Sequence, residues 1–162
     1  MIVLRLAILI TLAISAYAEM KNCSVKKSKV DYEVHTRQCC TKVVGYQTCV
    51  VAETGLAAWK QSKPVDSISI TVQVAGEPIM KMEFSADTMT EEKTKKCVNN
   101  MYMNNVCLFV KRVKPKDWRK GGIGLCYTLS MKVHEYSGDK CIYLKGKEFI
   151  DLPIKQHMTD LD

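Results

Sequence analysis

Residues 67–85 carry the clearest hydrophobic pattern in the chain. Ile68, Ile70, Val72 and Val74 alternate with Ser67, Ser69, Thr71 and Gln73. A period of two puts the four apolar side chains on one face, which predicts a half-buried strand. Ala75-Gly76-Glu77-Pro78 has turn chemistry, and Met80, Met82 and Phe84 then alternate with Lys81, Glu83 and Ser85. Two such runs joined by a short Gly/Pro turn predict a β-hairpin. A second hairpin is expected later. Leu125, Tyr127, Leu129, Met131 and Val133 alternate with Cys126, Thr128, Ser130, Lys132 and His134, Ser137-Gly138-Asp139-Lys140 turns the chain, and residues 141–144 return. Residues 106–113 read as another strand, and residues 30–35 and 42–52 as weaker ones. Helical periodicity is thin. Residues 54–61 suit two turns, and residues 87–96 read as a solvated charged loop. The sum predicts a mainly β protein with little helix, an antiparallel sandwich or meander.

The N-terminus departs from this pattern. Arg5 precedes an apolar run over residues 6–14, and Ala16-Tyr17-Ala18 supplies the small residues that a signal peptidase accepts. The expected cleavage follows Ala18. The run is shorter than the roughly 20 residues that a permanent membrane span needs. Removing 18 of the 162 residues leaves 144, an ordinary size for one domain. Arg5 is the leader's one charged side chain, so the net charge falls from +7 to +6. A basic secreted protein is biased toward acidic partners such as an anionic membrane surface or an acidic protein of a target organism. Asn22-Cys23-Ser24 fits the rule for N-glycosylation, which makes Asn22 a candidate acceptor.

Eight cysteines follow the leader and none lies in it: Cys23, Cys39, Cys40, Cys49, Cys97, Cys107, Cys126 and Cys141. An even count behind an export signal reads as a disulfide framework, because the extracellular space keeps thiols oxidised. Cys39 and Cys40 are adjacent, and a ring closed between neighbours would strain the peptide joining them. They are expected to bond to two different partners. The remaining connectivity stays open among 105 possibilities for eight cysteines. A structural zinc site wants other spacings, so no metal is expected.

The cysteines have characteristic flanks. A CC pair is followed by Thr48-Cys49-Val50, by the strand-turn-strand unit with Val74-Ala75-Gly76-Glu77, and by Cys97-Val98-Asn99. Val106-Cys107-Leu108, Gly124-Leu125-Cys126 and Lys140-Cys141 complete the order. This series resembles the cysteine-rich secreted domain of arthropods that forms the C-terminal part of the trialysin and redulysin cytolysins of bug saliva and venom. The resemblance covers roughly residues 39–144. It implies a secreted, disulfide-rich venom or salivary protein, with membrane activity as a family trait. The family's long lysine-rich lytic helix has no counterpart here: residues 19–38 contain Lys21, Lys26, Lys27 and Lys29 but no apolar stripe at helical spacing. Cys23 also lies farther from the CC pair than the family places it. The chain thus divides into a signal peptide (1–18), a basic N-terminal segment (19–38), a cysteine-rich β domain (39–145) and a C-terminal tail (146–162).

No catalytic site is evident. His35 and His134 fall on the polar phase of predicted strands and His157 lies in the tail, with no nucleophile motif beside any of them. Gly121-Gly122-Ile123-Gly124 lacks the Lys-Ser/Thr of a phosphate loop and reads as a turn. Neither enzyme activity nor a cofactor is expected. Residues 111–120 hold six cations around one Trp. Lys114, Lys116, Trp118, Arg119 and Lys120 are the candidate membrane contacts, since cations favour anionic headgroups and Trp favours the interface. Nucleic acid is not an expected partner, because no nucleic-acid module pattern is present. The reading is therefore a secreted, non-enzymatic protein acting at membranes, with a non-lytic binding module, an inhibitor or an apolar-ligand carrier, as the alternative.

Overall fold

The computed structural model describes residues 18–20, 22–27, 35–54, 67–85, 93–113, 122–134, 136–145 and 148–153. The chain folds as two successive antiparallel meanders packed face to face. The first sheet runs in chain order: β2 (Asn22–Lys27), β3 (His35–Val43), β4 (Tyr46–Thr54), β5 (Ser67–Val74) and β6 (Glu77–Ser85). The second repeats the scheme with β7 (Thr94–Val98), β8 (Val106–Val113), β9 (Ile123–Met131), β10 (Tyr136–Lys145) and β11 (Glu148–Leu152). The short β1 (Ala18–Glu19) joins the second sheet, parallel to β10 at Gly138–Asp139, and β11 takes the same edge of β10 from Cys141 to Lys145. The sheets thus extend from residue 18 to residue 152. The protein is mainly β, as the alternation implied.

Alternation explains the core. Ile68, Ile70, Val72 and Val74 are all 0 % exposed, and across the gap Ile123, Leu125, Tyr127, Leu129 and Met131 of β9 face them in one continuous cluster. Val106, Leu108 and Val110 of β8 and Ile142 and Leu144 of β10 complete it. At about 25 cal/mol per Å² of apolar surface removed from water, this interior is the main attraction between the sheets.

The disulfides have a different role. Each joins residues directly opposed on neighbouring strands: Cys23–Cys39 (β2 to β3), Cys40–Cys49 (β3 to β4), Cys97–Cys107 (β7 to β8) and Cys126–Cys141 (β9 to β10). Their Cα atoms lie 4.0–4.1 Å apart. Cys39 and Cys40 do bond to different strands, because successive side chains leave opposite faces of β3: Cys39 is in the core and Cys40 is not. Every bond lies within one sheet and none joins the two.

Several expectations are corrected. The 42–52 run is not one strand. It breaks at Val44-Gly45, a two-residue turn with φ of 50° and 83°, the positive pair that closes a tight hairpin. The second hairpin turns earlier than expected, through a 3-10 turn at Lys132–His134. Val133 is therefore 61 % exposed rather than in the core. Ser137, Gly138, Asp139 and Lys140 belong to β10, in register with β9. Gly138 is needed there for close approach, since a Cβ would run into the Tyr136 hydroxyl and lie 3.0 Å from Met20 Cγ. Residues 94–96, the end of the charged loop expected over 87–96, instead open the edge strand β7. Ser69, expected to face solvent, is 7 % exposed. Of the helix expected over 54–61, Thr54 ends β4 and residues 55–61 lie outside the described residues, as does most of the strand expected over 30–35.

Candidate functional surfaces

Chemistry begins with what is reactive. All eight cysteines are in disulfides, so none is available as a thiolate nucleophile or ligand. Among the described residues no group of three His, Cys, Asp or Glu side chains is placed to hold a metal ion. His35 is buried at the start of β3 and His134 sits in the 3-10 turn. The described surface offers charge and shape instead.

The most concentrated charge lies on β7 and β8. Residues 93–113 contain five cations, Lys93, Lys95, Lys96, Lys111 and Arg112, and no acidic residue. Pairing brings them together. Lys95 stands opposite Phe109, and Thr94 opposite Val110, so Lys93 falls beside Lys111. Val106, Leu108 and Val110 point into the core. Phe109 and Lys111, at alternate positions, point outward with Lys93 and Lys95. The Lys93 and Lys95 ammonium groups lie 4.8 and 5.3 Å from the Phe109 ring centroid, within cation–π range. Lys96 turns to the neighbouring sheet, where its Nζ donates to the Lys81 carbonyl at 3.0 Å. Lysines also blunt an exposed strand edge. The aromatic ring beneath two of them goes beyond that need.

A second charged group lies between the sheets. Arg37 of β3 pairs with Asp151 of β11, and Lys140 of β10 reaches the same Asp151 oxygen at 3.1 Å. The side chains of Arg37 and Lys140 are only 15 % and 7 % exposed. Burial raises the Tyr127 phenol far above its ordinary range, and the nearby Arg37 charge pulls it back only in part. This cluster ties β11 to the first sheet. A third feature is Asp139. It is 0 % exposed, and burial raises its carboxyl above the usual range, while Thr128 across the ladder and the charge of Lys93 lower it. Neither Asp139 oxygen has a hydrogen bond of acceptable geometry.

The expected sites are distributed as follows. Asn22 is exposed on the edge strand β2, directly beside the Cys23–Cys39 bond. The candidate membrane loop, Lys114, Lys116, Trp118, Arg119 and Lys120, lies outside the described residues. It leaves from the end of β8 that carries Lys111 and Arg112. Sequence reading missed the basic face itself. Its one signal was the acid-free stretch 93–113, whose cations converge only through strand pairing.

No protein-family model, no curated protein and no solved structure matches the chain.

Proposed function

We propose that the chain is a secreted, non-enzymatic, disulfide-stapled β-sandwich that adheres to anionic membrane surfaces. The supporting observation is the basic face of β7 and β8: Lys93, Lys95 and Lys111 around the half-buried Phe109, with no carboxylate in the stretch. Each cation near an anionic bilayer contributes on the order of 1 kcal/mol. The basic Trp-containing stretch 114–120 follows Val113 in sequence and would add to that charge. Four disulfides suit an oxidising compartment, and the leader-like N-terminus supplies the route to it. The resemblance of its cysteine order to the cysteine-rich domain of trialysins and redulysins supports a setting in arthropod venom or saliva, and adhesion without the lytic helix is the activity proposed.

The alternative, a carrier of an apolar ligand between the sheets, is less well supported, since Tyr127, Met131, Leu129, Ile70 and Ile142 fill that space with fully buried side chains. Cosedimentation of the purified protein with anionic and neutral vesicles tests the proposal. Binding should favour anionic vesicles at low salt and weaken at physiological ionic strength, where exposed charges are screened over about 8 Å. Lys95→Glu with Lys111→Glu should reduce it at least tenfold. Equal binding to both vesicle types would remove the electrostatic reading and promote a protein-binding module.

A further inference from the structure

Four of the six large exposed apolar side chains among the described residues gather at one end of the sandwich: Val44 (64 % exposed), Tyr46 (39 %), Met101 (89 %) and Val133 (61 %), while Val25 and Ile150 lie within the strands β2 and β11. Register establishes this. The β3–β4 turn, the β5–β6 turn, the β7–β8 connection and the β9–β10 turn all leave their strands at the same end, because Val43 opposes Tyr46, Val74 opposes Glu77, Val98 opposes Val106 and Met131 opposes Tyr136. Contacts between the sheets show that the two ends coincide. The Tyr46 and Tyr102 rings lie 5.2 Å apart, and the Thr48 hydroxyl reaches Met103 Sδ at 4.0 Å.

Val44 makes the case that these side chains are there for a reason other than folding. Its φ is 50°, a left-handed conformation that a β-branched residue strongly disfavours. The hairpin turn it forms with Gly45 prefers Asn at that position. At 64 % exposed, little packing offsets the strain. Strained residues of this kind collect where function needs them.

We propose that this turn end inserts into the interfacial region of a lipid bilayer. The chemistry fits that partner. Val44, Met101 and Val133 are separate projecting side chains rather than one flat patch. Two tyrosines, which favour the headgroup level, stand behind them. In sequence, Lys42 and Lys132 flank the turns, as do two acidic residues, Glu77 and Glu135, so the projecting apolar side chains and the tyrosines rather than net charge mark this end. The proposal rests on the membrane reading above but assigns a different contact: the basic stretch 114–120 leaves β8 at the opposite end, after Val113.

The test is a triple variant, Val44→Asn, Met101→Ser, Val133→Ser, set against Lys95→Glu with Lys111→Glu, in vesicle cosedimentation and thermal unfolding. The triple variant should bind anionic vesicles at least tenfold more weakly, with its melting temperature unchanged or raised, because Asn suits the turn at position 44. Its deficit should persist at high salt, where the charge variant converges on wild type. Wild-type binding by the triple variant, with loss only in the charge variant, would overturn the inserted end and leave basic-face adhesion standing. No binding of the wild-type protein to any vesicle would overturn both.

A second inference rests on Asp139. Met20 is 2 % exposed, lies in the core and donates its N–H to the Asp139 carbonyl at 3.2 Å. Glu19 stands opposite Asp139 in the parallel ladder. Asp139 is a buried carboxylate without a well-formed hydrogen bond, an arrangement that is costly unless a charge pairs with it. Under the signal-peptide reading, a signal peptidase hydrolyses the Ala18–Glu19 peptide. Water adds across the C–N bond, leaving a carboxylate on Ala18 and an ammonium on Glu19. We infer that this new ammonium pairs with Asp139, so that removal of the leader completes the fold. Thr128, Lys93 and Tyr136 are the other polar or charged groups acting on the carboxyl.

Protein starting at Glu19 is compared with the same protein carrying Gly-Ser ahead of Glu19, each with and without Asp139→Asn. The extension should lower the melting temperature by about 3–6 °C in the Asp139 protein. It should have little effect on the Asp139→Asn protein. Additive effects would overturn the pair. An intact mass showing that the secreted protein begins elsewhere would overturn the cleavage assignment it depends on.

Discussion

At the residue scale, neighbouring positions of β5 separate packing from polarity. Ile70 is 0 % exposed among the core side chains, and Ser69 next to it is 7 % exposed on the other face. Ile70→Ala should destabilise the protein by about 2–5 kcal/mol, because it deletes methyl groups from a close-packed interior. Ile70→Asp should prevent recovery of folded protein, since it buries an unpaired charge. Ser69→Ala removes only a hydroxyl and should cost less than about 1 kcal/mol. Ser69→Asp, harmless on a solvated face, should be clearly unfavourable on this covered one. Urea unfolding of the four variants checks the series. Equal losses from Ile70→Ala and Ser69→Ala would mean that the two faces are wrongly assigned. Which side of β5 meets the core was legible from alternation alone. That Ser69 is also covered was not, because the far side of a sheet depends on what the rest of the chain lays over it.

At the element scale, strands with one apolar face were legible and strands without one were not. β5, β6 and β9 repeat with period two and β8 opens on an unbroken apolar run, and their expected spans agree with the structure to within a few residues. β7 reads Thr-Lys-Lys-Cys-Val and has no apolar face to declare it. Pairing with β8 and the Cys97–Cys107 bond make it a strand. Turns failed for a related reason. Ser137-Gly138-Asp139-Lys140 has turn composition, yet its glycine admits the Tyr136 ring and Met20, and its aspartate lies beside β1. The true reversal, Lys132–His134, contains no turn former. Val44-Gly45 was overlooked because valine is the wrong residue for its conformation. The candidate surfaces divide in the same way. The basic Trp stretch could be read from composition. The face of Lys93, Lys95 and Lys111 and the apolar turn end exist only once register has brought distant residues together.

At the scale of the whole molecule, the four disulfides brace each sheet and leave the contact between sheets, among the described residues, mainly to the core, to one ionic cluster and to the Lys96–Lys81 hydrogen bond. Closing loops of 9 to 16 residues, each bond contributes about 3 kcal/mol, and that gain is spent within a sheet. Arg37, Lys140 and Asp151 span the gap, with Asp151 as the acceptor shared by two mostly buried cations. Removing a partner from a buried pair costs several kcal/mol, chiefly because the remaining charge loses its compensation. Asp151 is itself 41 % exposed, so water takes up part of the loss. Asp151→Ala should therefore destabilise by about 1–3 kcal/mol. Glu83→Ala, which breaks the surface pair with Lys81, should change stability by less than about 0.5 kcal/mol. Urea unfolding with all disulfides intact gives both values. A cooperative transition at lower urea for Asp151→Ala would show the sheets separating and unfolding as one unit. If Asp151→Ala matched Glu83→Ala, the core alone would hold the sheets together, and the buried cluster would serve only to seat β11.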